Sequence, residues 1–342
     1  MITTSKQKEV IEPMNECIEL EPMYNVPTEE LEKSFPITYE TPAEKPLEKK
    51  VQNRLLNGFH TWNAGYDAWK HWGEVLYTKD SIYNVHGVRF TLPEYQMAMN
   101  IGLKAIDMQM GRFNNMILCD DWTAIRYEVH NTNRQTGEEK DTTVMEFVNF
   151  ADHGDKGAKV VEGWGGVKGP DYYGMQHFQT PEEQANQQAF TDSILNTVLA
   201  DTEDLQKKYP VVYPTAIPAG DGEKMRDFVL GFIDAWNGGA ESFSSFAGDF
   251  LTEDGVYNAD ETDYTREGLL SHSVDVIEKT KEERVRINNI LVSDYWAAAH
   301  YYSRVELPDG SRDIKESMEF MHFVKGDKGL MVDRLWLKSG KD

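Results

Sequence analysis

Cationic residues are scarce in this chain. Lys and Arg number 35 against 58 Asp and Glu, a formal charge of −23 over 342 residues. A surface of that sign repels phosphate backbones and anionic headgroups, which argues against nucleic acid or a membrane surface as the main partner. Cysteine is scarcer still: Cys17 and Cys119 are too few for a disulfide scaffold or a cysteine-built zinc site. Long apolar runs are missing too. No stretch reaches the roughly 20 residues of a membrane-spanning helix, and Met1 to Met14 lacks the apolar run of a secretory signal. A cytoplasmic protein is the expectation. Core material is plentiful, with 40% apolar and 11% aromatic residues, so the chain as a whole is not disordered.

Residues 1–43 hold several prolines (Pro13, Pro22, Pro27, Pro36, Pro42) and little periodicity. They read as an acidic arm that lies on the domain or stays mobile. From Glu44 onward Leu47, Val51, Leu55, Phe59 and Trp62 recur at spacings of three and four, the stripe of an amphipathic helix, and Gly65 ends it. A second such helix starts near Gly222 with Met225, Phe228, Val229, Phe232, Ile233 and Trp236, and ends at Gly238-Gly239. The two endings nearly match, and the match continues at a constant offset of 174. Leu76 to Asn84 aligns with Phe250 to Asn258, Arg112 to Leu118 with Arg286 to Val292, and Trp122 with Trp296. After single-residue gaps, Met145-Glu146-Phe147 meets Met318-Glu319-Phe320 and Trp164 meets Trp336. The chain is a tandem duplication. Its expected parts are an arm (1–43), a first domain (44–168), a helical linker (169–221) and a second domain (222–342). Within the linker, Thr180-Pro181-Glu182-Glu183 opens a helix running to about Lys208, followed by a proline-containing tether.

Each copy reads as helices first and consecutive strands after. Thr91 and Glu94 form a capping-box start for a third helix. Without βαβ alternation this predicts an α+β fold with an antiparallel sheet. The Trp62-Asn63 helix end, the Leu76 to Asn84 segment, the Asp121-Trp122 strand and the closing Gly154-Asp155-Lys156-Gly157 to Trp164 carry a resemblance. So does Gly326-Asp327-Lys328-Gly329 to Trp336 in the second copy. Each copy resembles the SnoaL-like branch of the nuclear-transport-factor-2-like superfamily. The resemblance implies two tandem cone-shaped domains, each of three helices packed on a curved antiparallel sheet around an apolar pocket. It also implies enzymes that need no metal or organic cofactor, among them polyketide cyclases, isomerases and dehydratases, beside members that only bind or dimerise.

Among the candidate residues, Arg126, Glu128 and His130 share one strand face with Trp122 and Ala124, and the second copy shows His300, Tyr302 and Arg304 there. His130 stands where the resembling enzymes often carry a catalytic or substrate-contacting side chain, and an imidazole can exchange a proton near neutrality. The competing reading makes this the outer, sheet-pairing face. His86 follows Tyr83-Asn84, and Asp260 holds its place in the second copy: both suit acid–base work, and both also suit a solvated loop. Tyr66 and Asp67 open the second helix where the resembling enzymes often keep an acid or Tyr, yet Asp67 also complements the helix dipole. Arg112 cannot be a general base, so it would bind an anion or join an ion pair, with Glu146 or Glu319 as partner. No metal-ligand spacing or nucleophile elbow appears, and Gly163-Trp164-Gly165-Gly166 leads to Pro170 rather than a dinucleotide-binding helix.

The reading that joins these observations is a cofactor-independent lyase, isomerase or cyclase. It would hold a hydrophobic hydroxy- or keto-compound (polyketide-, steroid- or terpenoid-like) in the first cone. His130 and His86 would shuttle the proton, Asp67 or Tyr66 would orient it, and Trp62, Tyr83, Arg112, Glu128 and Trp122 would contact the substrate. The second domain would be structural, or would act through Asp260, His300, Tyr302 and Tyr257. The alternative is a non-catalytic binder or scaffold. In either case the two domains are expected to form an intramolecular pseudo-dimer, with further homo-oligomerisation open.

Overall fold

The computed structural model describes residues 25–167, 180–197, 220–307 and 309–340. Order begins earlier than the composition suggests. Within the arm, α1 (Thr28–Ser34) and β1 (Ile37–Glu40) are formed, and Ile37 and Tyr39 of β1 pair in parallel with Phe113 and Asn115. Residues 1–24 of the arm lie outside the described residues.

The predicted stripe folds as α2 (Pro46–Asn63), burying Val51, Phe59 and Trp62 against the sheet. Gly65, at φ 113°, breaks the chain into α3 (Tyr66–Leu76), because only glycine enters that region without strain. Next come β2 (Tyr77–Val85), β3 (Val88–Thr91) and α4 (Leu92–Ala105). The Glu94 carboxylate accepts from the Thr91 amide at 2.7 Å, as the capping box requires. The long strands β4 (Ile106–Cys119), β5 (Trp122–Asn133), β6 (Glu139–Asp152) and β7 (Ala158–Gly165) complete the first copy. Helix α5 (Pro181–Leu195) starts where the sequence places it; residues 198–208 of the expected helix and the expected tether at 209–219 lie outside the described residues.

The second copy repeats the order: α6 (Asp221–Asn237), α7 (Ala240–Phe250), β8 (Leu251–Ala259), β9 (Thr262–Tyr264), α8 (Arg266–Thr280), then β10 (Glu283–Ser293), β11 (Trp296–Glu306), β12 (Arg312–Gly326) and β13 (Gly329–Ser339). The sheet orders are β1-β4-β5-β6-β7-β2-β3 and β10-β11-β12-β13-β8-β9. Both sheets are antiparallel through their long strands and mixed elsewhere. β7 pairs β2 in parallel, as β13 pairs β8, and β1 adds a parallel edge to the first sheet alone. The fold is α+β, with three helices of each copy packed in a curved sheet to make a cone.

Side-chain alternation sends the two faces of each sheet to different cores. The inner faces bury Ile125, Tyr127 and Val148 in the first cone, and Ala299, Tyr301 and Met321 in the second. The outer faces meet each other. Ile117, Ala124, Phe147, Leu291, Ala298 and Phe320 form one cluster drawn from both copies, and the Cys119 thiol lies 3.7 Å from the Val292 carbonyl across it. At about 1.5–3 kcal/mol for each large apolar side chain fully buried, this shared layer holds the cones together strongly.

Candidate functional site

The face carrying Trp122, Ala124, Arg126, Glu128 and His130 is therefore not a pocket wall. It is the outer face. Ala124 enters the layer between the cones, and the Arg126 guanidinium stacks 4.2 Å over Trp336 of the second cone. His130, near the strand end, is solvent-exposed and bonds Asp141 at 2.7 Å, which holds its imidazole above its usual pKa. His86 does not join it. His86 and Gly87 form the β2–β3 turn, where His86 has φ 50° and its Nδ1 lies 3.1 Å from the Val167 carbonyl. Asp260 fills the same turn position at φ 49° and accepts from the Ser339 amide at 2.8 Å. Each residue ties a hairpin turn to the chain just after, or at the end of, the last strand of its copy. Two different side chains suit one position because both serve that structural task.

The other expected residues are also separated. Asp67 is exposed in the first turn of α3. Tyr66 donates to the Gln96 carbonyl at 2.9 Å and, with Trp62, Leu103 and Met108, lines a recess of about 170 Å³. Trp62 donates to the Met108 carbonyl at 2.8 Å. Arg112 pairs with Glu128 at 3.5 Å on the surface, not with Glu146 or Glu319. Trp122 stacks on Trp164. In the second copy, Tyr257 donates to the Thr252 and Val332 carbonyls, while His300 and Tyr302 both reach Glu316 on the outer face.

The inner wall of the first cone brings together a different set. Glu146 on β6 lies deep in the cone, where Tyr127 donates to one carboxylate oxygen at 2.6 Å and Tyr83 to the other at 2.8 Å. Tyr95 stacks on Tyr83 with ring centroids 5.0 Å apart, and Tyr77 packs edge-on to it. Burial pushes the Glu146 carboxyl above its ordinary pKa, and the two phenol donors pull it only partly back. Burial beside that carboxyl raises Tyr83 and Tyr127 well above the usual phenol value, so both stay protonated donors. Glu146, Tyr77, Tyr95, Met110 and Val144 nevertheless keep accessible surface, although their side chains belong to or pack against this interior.

Two glycines make the arrangement possible. A Cβ on Gly163 would sit 2.2 Å from the Tyr83 ring, and one on Gly165 would sit 2.9 Å from a Glu146 oxygen. Glycine at these two inward positions of β7 lets the ring lie against the strand and the carboxyl stand beside it. That is the physical meaning of the glycine-rich segment that no nucleotide motif explains.

In the second cone the same wall is filled. Asn63 clamps the Met110 backbone, and Asn237 clamps Arg284 in the same way, so Arg284 stands in place of Met110. Its guanidinium pairs with Glu319 at 3.3 Å, with both side chains 1% exposed, and stacks 3.9 Å over Trp236. Leu335 and Leu337 replace Gly163 and Gly165, Leu251 replaces Tyr77, and Leu269 replaces Tyr95. The pair of Tyr301 and Glu319, at 2.6 Å, survives from the pattern of Tyr127 and Glu146. The sequence reading aligned Glu146 with Glu319 and offered it only as an ion-pair partner for Arg112. The available signal was the substitution of Arg284 for Met110 around a shared acid.

Comparisons with known proteins add little. No family model matches the sequence, and no curated protein matches it. Among solved structures, a proposed SnoaL-like polyketide cyclase from Jannaschia is 12% identical, covers 36% of this chain and 91% of its own, and has a TM-score of 0.31. AclR, a proposed hydroxylase from Streptomyces galilaeus, is 14% identical over 34% of this chain and 88% of its own, at TM-score 0.30. IdmH, a proposed polyketide cyclase from Streptomyces antibioticus, is 15% identical over 33% and 90%, at TM-score 0.29. Likeness at that level bears on neither activity nor substrate.

Proposed function

We propose that the first cone is a cofactor-independent acid–base site of the lyase, isomerase or cyclase kind. Its substrate is a hydrophobic hydroxy- or keto-compound, polyketide-, steroid- or terpenoid-like. The observation that carries this is a carboxyl set among the aromatic rings of the first cone, with one tyrosine on each oxygen and, among the described residues, no ion pair; burial raises its pKa. A carboxylate so placed takes a proton from carbon next to a carbonyl, while a phenol polarises the oxygen where charge develops. Glu146 replaces His130 and His86 as the proton carrier, with Tyr83 and Tyr127 as donors. The second cone, its lumen closed by Arg284 and Leu335, has a structural role in an intramolecular pseudo-dimer. A scaffold or binder would need only the apolar wall.

Deuterium wash-in next to the carbonyl of 2-tetralone, followed by proton NMR, tests the reading. The wild-type protein accelerates exchange over buffer, and Glu146→Gln lowers the rate by about 10²-fold or more. A protein that binds 2-tetralone without exchanging it would be a binder.

A further inference from the structure

We propose that the cleft between the cones is a second ligand site, built for a planar aromatic anion and independent of the Glu146 lumen. It encloses about 710 Å³, within the range of small-molecule sites and at a domain interface, where such sites concentrate. Cone one supplies Trp122 and Trp164, cone two supplies Arg286 and Tyr302, and α5 supplies Phe190.

The duplication itself shows what the tryptophans accept. Trp296 and Trp336 stack in the second copy as Trp122 and Trp164 do in the first, at 19° and 22° between planes. The second pair is covered: the Tyr39 ring from β1 lies against Trp296 and Trp336, and its hydroxyl meets the Arg334 guanidinium. The first pair instead lines the open cleft. A ring on this pair is therefore an arrangement the chain already uses at the equivalent position.

Charge selects the other end of the ligand. Two of the cleft's three carboxylates, Glu94 and Glu316, are bonded within the protein. Glu316 accepts from Tyr302 and bonds His300, and Glu94 accepts from the Thr91 amide, while burial holds the half-buried Glu162 carboxyl above its ordinary pKa against the pull of Arg89. Arg286 differs. Among the described residues its guanidinium has no ion pair and rests over the Phe190 ring at 5.3 Å. Arg286 thus offers the cleft a half-buried cation with aromatic walls beside it, which calls for a carboxylate or sulfonate on a flat aromatic frame.

The probe is 1-anilinonaphthalene-8-sulfonate, titrated against the full chain and followed by dye emission and tryptophan quenching. Saturable one-to-one binding is expected, weakened at least tenfold by Arg286→Gln. Asn186→Trp, an exposed change on α5 that fills the cleft without touching either cone's core, is expected to abolish it. Met110→Arg, which plugs the lumen, leaves it unchanged. The neutral analogue N-phenyl-1-naphthylamine is expected to bind at least tenfold more weakly than the sulfonate. Wild-type affinity in folded Arg286→Gln, equal affinity for the neutral analogue, or loss of binding in folded Met110→Arg would each overturn the assignment. Absence of ketone exchange in the wild-type protein, with dye binding as expected, would count against the lumen reading alone.

Discussion

At the scale of single residues, two glutamates at one alignment position have opposite duties. Glu146 sits among tyrosines with no ion pair among the described residues, whereas Glu319 neutralises a buried guanidinium. Removing the second charge leaves Arg284 buried and unpaired, so Glu319→Gln should cost about 3–5 kcal/mol, read by denaturant unfolding. Glu146→Gln behaves differently. A carboxyl whose pKa is higher folded than unfolded binds its proton more tightly in the fold. Its contribution is fully present below the unfolded value of about 4.3 and is lost as pH rises through the folded one. The neutral amide does not suffer that loss, so the melting temperature of Glu146→Gln relative to wild type should increase with pH. Exchange activity runs the other way, since the base is the ionised form: it should rise with pH along a limb set above the ordinary carboxylate range. A variant that lost stability uniformly at all pH values would contradict this. His130→Ala, on an exposed side chain, should change stability by no more than about 0.5 kcal/mol and leave exchange unaltered.

Strand β7 shows most clearly how an element makes a site. Alternation puts Trp164 on the outer face and Gly163 and Gly165 on the inner one, so one strand serves both the cleft and the lumen. Gly163→Ala forces the Tyr83 ring off its place beside Glu146 and should destabilise by about 1–3 kcal/mol, measured by thermal unfolding, with loss of exchange. Met110→Arg should close the lumen as Arg284 does, abolishing exchange while circular dichroism stays native. Much at this scale was legible in the sequence. The stripe from Leu47 to Trp62, the Thr91 capping box and the offset of 174 predicted helices and repeat, because periodicity and capping are local. The orientation of β5 was not. Alternation sorts His130 with Trp122 but does not say which face turns inward, since both faces of this sheet are buried over much of their length. The pairing of Glu146 with Tyr83 depends on strands 63 residues apart, and no local pattern carries that.

For the whole molecule, the shared outer-face layer makes the two cones one unit. Phe320 is fully buried between them, so Phe320→Ala should cost about 3–5 kcal/mol and lower the unfolding midpoint reported from either cone. Separate, unshifted transitions would show that the layer does not couple them. Around the equivalent acids the second cone carries leucines and a buried arginine (Leu335, Leu337 and Arg284), whereas the first carries glycines and a methionine (Gly163, Gly165 and Met110). The central claim is that Glu146 is a proton carrier open to ligand. Its most direct test is carbon-13 NMR titration of the Glu146 side-chain carboxyl, assigned with Glu146→Gln, in the absence and presence of 2-naphthol as an enolate mimic. The account predicts a midpoint above the ordinary carboxylate range that moves when 2-naphthol binds. An ordinary midpoint, indifferent to 2-naphthol, would contradict it.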